Sequence, residues 1–126
     1  MVGKGSMATE LLVVERVGDT LVVTPRADLG EIEYQHIHSE AKHLFGYLND
    51  PAVRNIVLDF QQTAYYGSSA LAFFVRLWKK VSTRGGRMAF CNVSPQEKEI
   101  LRLTKLDSLW PICGSREEAM HTVGTG

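Results

Sequence analysis

Asn55-Ile56-Val57-Leu58-Asp59-Phe60, then Tyr66-Gly67-Ser68-Ser69-Ala70-Leu71, then Arg84-Gly85-Gly86-Arg87 form the stretch whose reading decides the fold. Ile56 to Phe60 is a short apolar run bounded by turn residues, the pattern of a strand buried on both faces. From Ser68 to Arg84 the residues Leu71, Phe74, Val75, Trp78 and Val81 recur at helical spacing, while Arg76, Lys79, Lys80 and Arg84 fall largely elsewhere. Gly85-Gly86 stops that helix, and Arg87 to Cys91 reads as the next strand. Strand, amphipathic helix and strand in this order make a right-handed crossover, so the two strands are expected to run parallel.

Upstream, Leu11 to Val17 and Thr20 to Thr24 are two β-branched runs separated by Gly18-Asp19, a dipeptide suited to a tight hairpin. Pro25 ends the second run because it cannot donate to a ladder, and Arg26 to Gly30, which includes Asp28, leads into a helix. That helix spans Glu31 to Leu48: Ile37, Ala41, Leu44 and Leu48 repeat at helical spacing, with Tyr34 and Phe45 widening the stripe. Asn49-Asp50-Pro51 terminates it.

Downstream, Ser94-Pro95-Gln96-Glu97 is a capping box with proline at the first helical position, which opens a third helix over about Pro95 to Leu103. Asp107 to Ile112 reads as a connector and a last short strand. Ser115-Arg116-Glu117-Glu118 is a second capping box, starting a terminal helix that runs to about Val123. The order β-β-α-β-α-β-α-β-α predicts one compact α/β domain over 10–123. Its sheet is mixed and mainly parallel, with an antiparallel hairpin at the start and about four helices. Residues 1–9 are set aside as a flexible leader or expression scar, and 124–126 as a tail.

Composition narrows the function. The chain has 126 residues, enough for one core and too few for two. Fourteen basic residues balance fourteen acidic ones, so no positive field gathers a nucleic acid backbone. The longest apolar run, Ala70 to Val75, is far below the roughly 20 residues that a membrane-spanning helix needs. Cys91 and Cys113 have neither the density of a disulfide scaffold nor the spacing of a zinc site, which points to reduced thiols and a cytoplasmic protein.

Two kinds of chemistry can be weighed at the residues. Ser68 and Ser69 open the second helix, where Ser68 reads as an N-cap and Ser69 as a first-turn residue. The same place suits a phosphoryl group, since free N–H groups and the helix dipole favour an anion there. Gly67-Ser68-Ser69-Ala70 lacks the Gly-x-Ser-x-Gly pattern of a hydrolase elbow and has no evident triad partners, so the chain reads as a binding module and not an enzyme. Tyr65, Tyr66 and Phe73 read either as an exposed docking patch beside the serines or, for the tyrosines, as a strand end packed on the helix. His36, Glu40 and His43, with Glu33 close by, share a helix face, but the sequence places no further ligand, so no metal or other cofactor is expected.

The runs Ile56 to Phe60, Tyr66 to Leu71, Arg84 to Arg87 and Asn92-Val93-Ser94-Pro95 together resemble the STAS domain of bacterial anti-sigma factor antagonists. The similarity continues through Leu103 to Leu109 and Ser115 to Ala119. The resemblance implies a regulator of transcription that binds an anti-sigma factor with serine kinase activity when unphosphorylated, with a serine phosphatase as a further partner. It places the phosphoacceptor at Ser69. It groups Asp28, Tyr66, Gly67, Ser68, Ser69 and Phe73 as the partner-binding surface. Gly67 stands where the family has aspartate, and Ala70 where it has glycine. Similar domains also serve as accessory subunits of membrane transport or lipid-transport complexes, the alternative in which Ser69 is not phosphorylated.

Overall fold

The computed structural model describes residues 6–8, 12–26, 42, 44–63 and 68–124, with 6–8, 68 and 69 described by their backbone. Among the described residues six strands form one sheet: β1 Ser6–Ala8, β2 Leu12–Val17, β3 Thr20–Pro25, β4 Asn55–Asp59, β5 Met88–Cys91 and β6 Ile112–Cys113. They lie side by side in chain order. β1 and β2 are antiparallel, as are β2 and β3, whereas β3, β4, β5 and β6 run parallel. The expected mixed, mainly parallel α/β sheet with its early hairpin is present. Gly18 takes φ +64 in the turn between β2 and β3, a conformation that glycine adopts without steric cost.

Ser6–Ala8 is a correction. It lies within the segment set aside as leader, yet it pairs with Val13 to Glu15 and adds a strand at the sheet edge. Three residues with little strand preference of their own are ordered there by the ladder that β2 offers.

Helical residues 44–48 form the end of α1, followed by α2 Ser68–Ser82, α3 Pro95–Leu103 and α4 Arg116–Gly124. Right-handed crossovers between strands laid down in one direction put successive helices on one face. Leu44 and Leu48 of α1, Phe74 and Leu77 of α2 and Leu101 of α3 accordingly pack with Leu21, Ile56, Leu58 and Phe90. α4 covers the other face, with Ala119 and Val123 against Val22, Val57, Ala89, Cys91 and Cys113. Coverage on both faces is why β3, β4 and β5 are buried throughout.

The helix starts follow their sequence signals. Ser94 accepts the Glu97 N–H at 3.3 Å and Ser115 accepts the Glu118 N–H at 3.1 Å. In the second case the Glu118 carboxylate reaches past the cap to the Gly114 N–H, at 2.7 Å. Arg84 donates its guanidinium to the carbonyls of Leu48, Asp50 and Val53, tying the end of α2 to the last turn of α1 and to the connection that follows it.

Candidate functional site at the carboxyl ends of the strands

In open α/β sheets the loops that follow the strands carry the binding surface. Here those loops follow Pro25, Asp59, Cys91 and Cys113, and the backbone of Ser68 and Ser69 forms the first turn of α2 at the end of the loop after β4. α2 is fifteen residues long with no acidic residue in its first turn. Asp28, Tyr65, Tyr66 and Gly67 lie outside the described residues, as do His36, Glu40, His43 and Glu33. Among the described residues no group of His, Cys, Asp or Glu could hold a metal ion. No helix of the described residues is long and apolar enough to cross a membrane.

Phe73 is a second correction. Expected as an exposed docking aromatic, it is 2% exposed. Its ring meets Phe45 edge-on at 6.2 Å and Phe74 at 5.9 Å. The buried face of α2 runs through Ala70, Phe73, Phe74, Leu77 and Val81, while Leu71, Val75 and Trp78 are only partly buried on its flank. Phe73 supports the helix from beneath and offers a partner nothing.

A polar cluster not anticipated from the sequence organises this end of the sheet. Asp59 closes β4 on the α4 side and is fully buried. Its Oδ1 accepts the Gln61 N–H at 3.0 Å and Asn92 Nδ2 at 2.9 Å. Its Oδ2 accepts Gln61 Nε2 at 3.1 Å and Arg116 Nε at 2.9 Å. Arg116 also reaches Glu15 Oε1 at 3.4 Å and Thr24 Oγ1 at 3.3 Å, so one guanidinium spans β2, β3 and β4. A buried carboxylate persists when paired and fully hydrogen-bonded, and Asp59 meets both conditions. A usable signal was Arg116 itself, a cation in the first turn of α4, where the helix dipole disfavours positive charge.

Cys91 adjoins this cluster and lies opposite Cys113 in the ladder; both thiols are buried and free. Burial pushes the Cys91 thiol up to about 12, with the Asp59 carboxylate adding to the effect. A thiol held protonated is a poor nucleophile, so Cys91 is packing and not chemistry. Below the ordinary thiol value of 9.0 the group is neutral folded and unfolded. As pH rises from there toward 12, the unfolded chain gives up this proton first, and stability falls. Urea midpoints should therefore drop more steeply over that range in the native chain than in Cys91→Ala; parallel profiles would contradict the burial.

A mixed sheet covered on both faces, with α2 beginning at the carboxyl ends of its parallel strands, defines an α/β domain. The STAS domain family model matches residues 12–119, and the chain belongs to that family. It is 27% identical over 70 residues to BtrV of Bordetella bronchiseptica, provisionally named an anti-sigma factor antagonist; the match covers 56% of this chain and 60% of that protein. The anti-sigma factor antagonist (STAS) domain protein of Planctomyces limnophilus superposes with a TM-score of 0.76 at 27% identity, over 90% of this chain and 97% of that one. The Bacillus cell fate determinant SpoIIAA in its phosphorylated form superposes with a TM-score of 0.63 at 17% identity, over 95% and 98% of the two chains.

Proposed function

We propose that this chain is an anti-sigma factor antagonist that binds an anti-sigma factor with serine kinase activity in the cytoplasm, and that phosphorylation of Ser69 releases the partner. The observation that carries the reading is Ser69 in the first turn of α2, at the carboxyl ends of the parallel strands and within the family match. A phosphoryl group there adds roughly two negative charges where unpaired N–H groups favour an anion, so the fold tolerates it. A partner lying over the same surface does not, because the new charge must be desolvated without a counter-ion. Asp28, Tyr66, Gly67 and Ser68 complete the contact surface in this reading, and a serine phosphatase resets it. The domain acts by binding and not by catalysis.

Incubation with the cognate kinase and ATP should add one phosphate, and Ser69→Ala should abolish it. Ser69→Asp should keep the native circular dichroism while partner affinity falls by at least about tenfold, a cost of about 1.4 kcal/mol. Modification at another residue, or unchanged affinity of Ser69→Asp, defeats the switch. Gly67 in place of the family's aspartate favours a second reading, an unphosphorylated accessory subunit of a membrane transport or lipid-transport complex. Co-purification with a transport ATPase in place of a kinase would select it.

A further inference from the structure

We infer that Asn92, acting through Asp59, is a positioning residue for the start of α2; the inference rests on reading that helix start as the contact and modification surface. The connection leaving β4 is held at three points. Phe60 donates its N–H to the Cys91 carbonyl at 3.0 Å, Gln61 is gripped twice by Asp59, and the Thr63 hydroxyl donates to the Pro25 carbonyl at 3.0 Å. Asn92 joins this connection to the turn between β5 and α3 through its bond to Asp59 Oδ1. Between the two turns lies a depression of about 330 Å³ lined by Phe60, Gln61, Gln62, Thr63, Asn92 and Ser94.

The two oxygens of Asp59 divide the work. Oδ2 faces the Arg116 charge and the Gln61 side chain, whereas Oδ1 takes the Gln61 backbone and Asn92, which belong to the two turns flanking the depression. A carboxylate offers about four acceptor positions, and these four donors occupy them, with the Cys91 thiol also hydrogen-bonded to the carboxylate. Withdrawing Asn92 takes one donor from Oδ1 and removes the side-chain tie between the two turns, leaving the backbone bond from Phe60 to Cys91.

Asn92 has φ 58, a left-handed conformation in which asparagine and glycine are both at home. This makes the residue separable into its two roles. Asn92→Gly keeps the turn and deletes only the amide that reaches Asp59. Asn92→Ala deletes the amide and also strains the turn.

Hydrogen–deuterium exchange on the full chain tests the assignment without any kinase. In Asn92→Gly the amides of Gln61 and Thr63 and the first hydrogen-bonded amides of α2, from Ala72 onward, should exchange about tenfold faster, as expected when one hydrogen bond that resists local opening is lost. The urea midpoint should fall slightly, by the worth of that one bond, while the amides of α3 stay as in the native chain. Asn92→Ala should show the same local acceleration together with a clearly lower midpoint than Asn92→Gly. Unchanged exchange in Asn92→Gly, either at Gln61 and Thr63 or at the start of α2, overturns the inference, and so does acceleration spread evenly over the sheet. Local acceleration in a chain that takes no phosphate at Ser69 keeps the tie and removes the serine reading, so the two fail separately.

Discussion

Phe90→Ala should lower stability by about 4 kcal/mol and Tm by about 15 °C. Phe90 is fully buried in the middle of β5. Its ring lies 4.9 Å from Phe60, 5.3 Å from Phe74 and 4.8 Å from Trp110, so a single side chain joins the loop after β4, helix α2 and the segment before β6. Truncation removes the transfer free energy of the ring and leaves a cavity bounded by three further aromatics. Each lost ring pair adds roughly 0.5–1.5 kcal/mol to that. These neighbours come from three separate elements and cannot all close in, so little of the cost is recovered by collapse. Phe90→Leu, which keeps much of the volume, should cost about 1.5 kcal/mol. Urea unfolding followed by tryptophan fluorescence in a Trp78→Phe background, where Trp110 alone emits, checks both values, because that indole reports the same cluster. A loss below the leucine figure for the alanine variant would mean that the core is organised around some other residue.

How much of this was legible follows from where the partners lie along the chain. β4 could be read from Ile56 to Phe60 because a strand covered on both faces leaves an unbroken apolar run. The caps at Ser94 and Ser115 could be read because donor and acceptor are three residues apart. The buried face of α2 was misassigned for a definite reason. Residues 70–75 are all apolar, so the turn nearest the core carries no polar residue to mark its wet side. A stripe through Leu71, Phe74, Val75 and Trp78 fits helical spacing as well as the one through Ala70, Phe73, Phe74 and Leu77. Packing against Phe45 and Phe60 decides between them, and spacing alone carries no knowledge of that packing. The membership of the Asp59 cluster is hidden because its parts are far apart, Asn92 33 residues from Asp59 and Arg116 57, and only the misplaced charge of Arg116 hints at it. At the residues alone Ser69 is a hydroxyl at a helix start, an ordinary place for a serine, and the family resemblance is what singles it out.

Gly85-Gly86 shows the same difference at two adjacent residues that sequence alone treats as one signal. Gly85 has φ +80, and its N–H donates to Ser82 while that of Gly86 donates to Val81 at 2.8 Å, the paired bonds of a Schellman ending. Open space surrounds Gly85 apart from the end of the Arg54 side chain, so Gly85→Ala should cost about 1 kcal/mol, for conformation alone. Gly86 has an ordinary backbone, yet a Cβ there would run into the carbonyl oxygen of Arg54 and sit 2.8 Å from its carbon. That carbonyl has little freedom to retreat. The Arg54 and Asn55 N–H groups both donate to Asp19, at 2.7 and 3.1 Å, and the Asn55 side chain accepts the Arg87 N–H at 2.9 Å. Relief must therefore shift the start of β4, the turn between β2 and β3, or the entry to β5. Gly86→Ala is expected to cost about 3 kcal/mol, reversing the usual order in which the left-handed glycine matters most. Urea midpoints of the two variants decide it. A larger loss for Gly85→Ala would mean that the Gly86 backbone stands farther from Arg54 than described and that the ending of α2 is set by conformation alone.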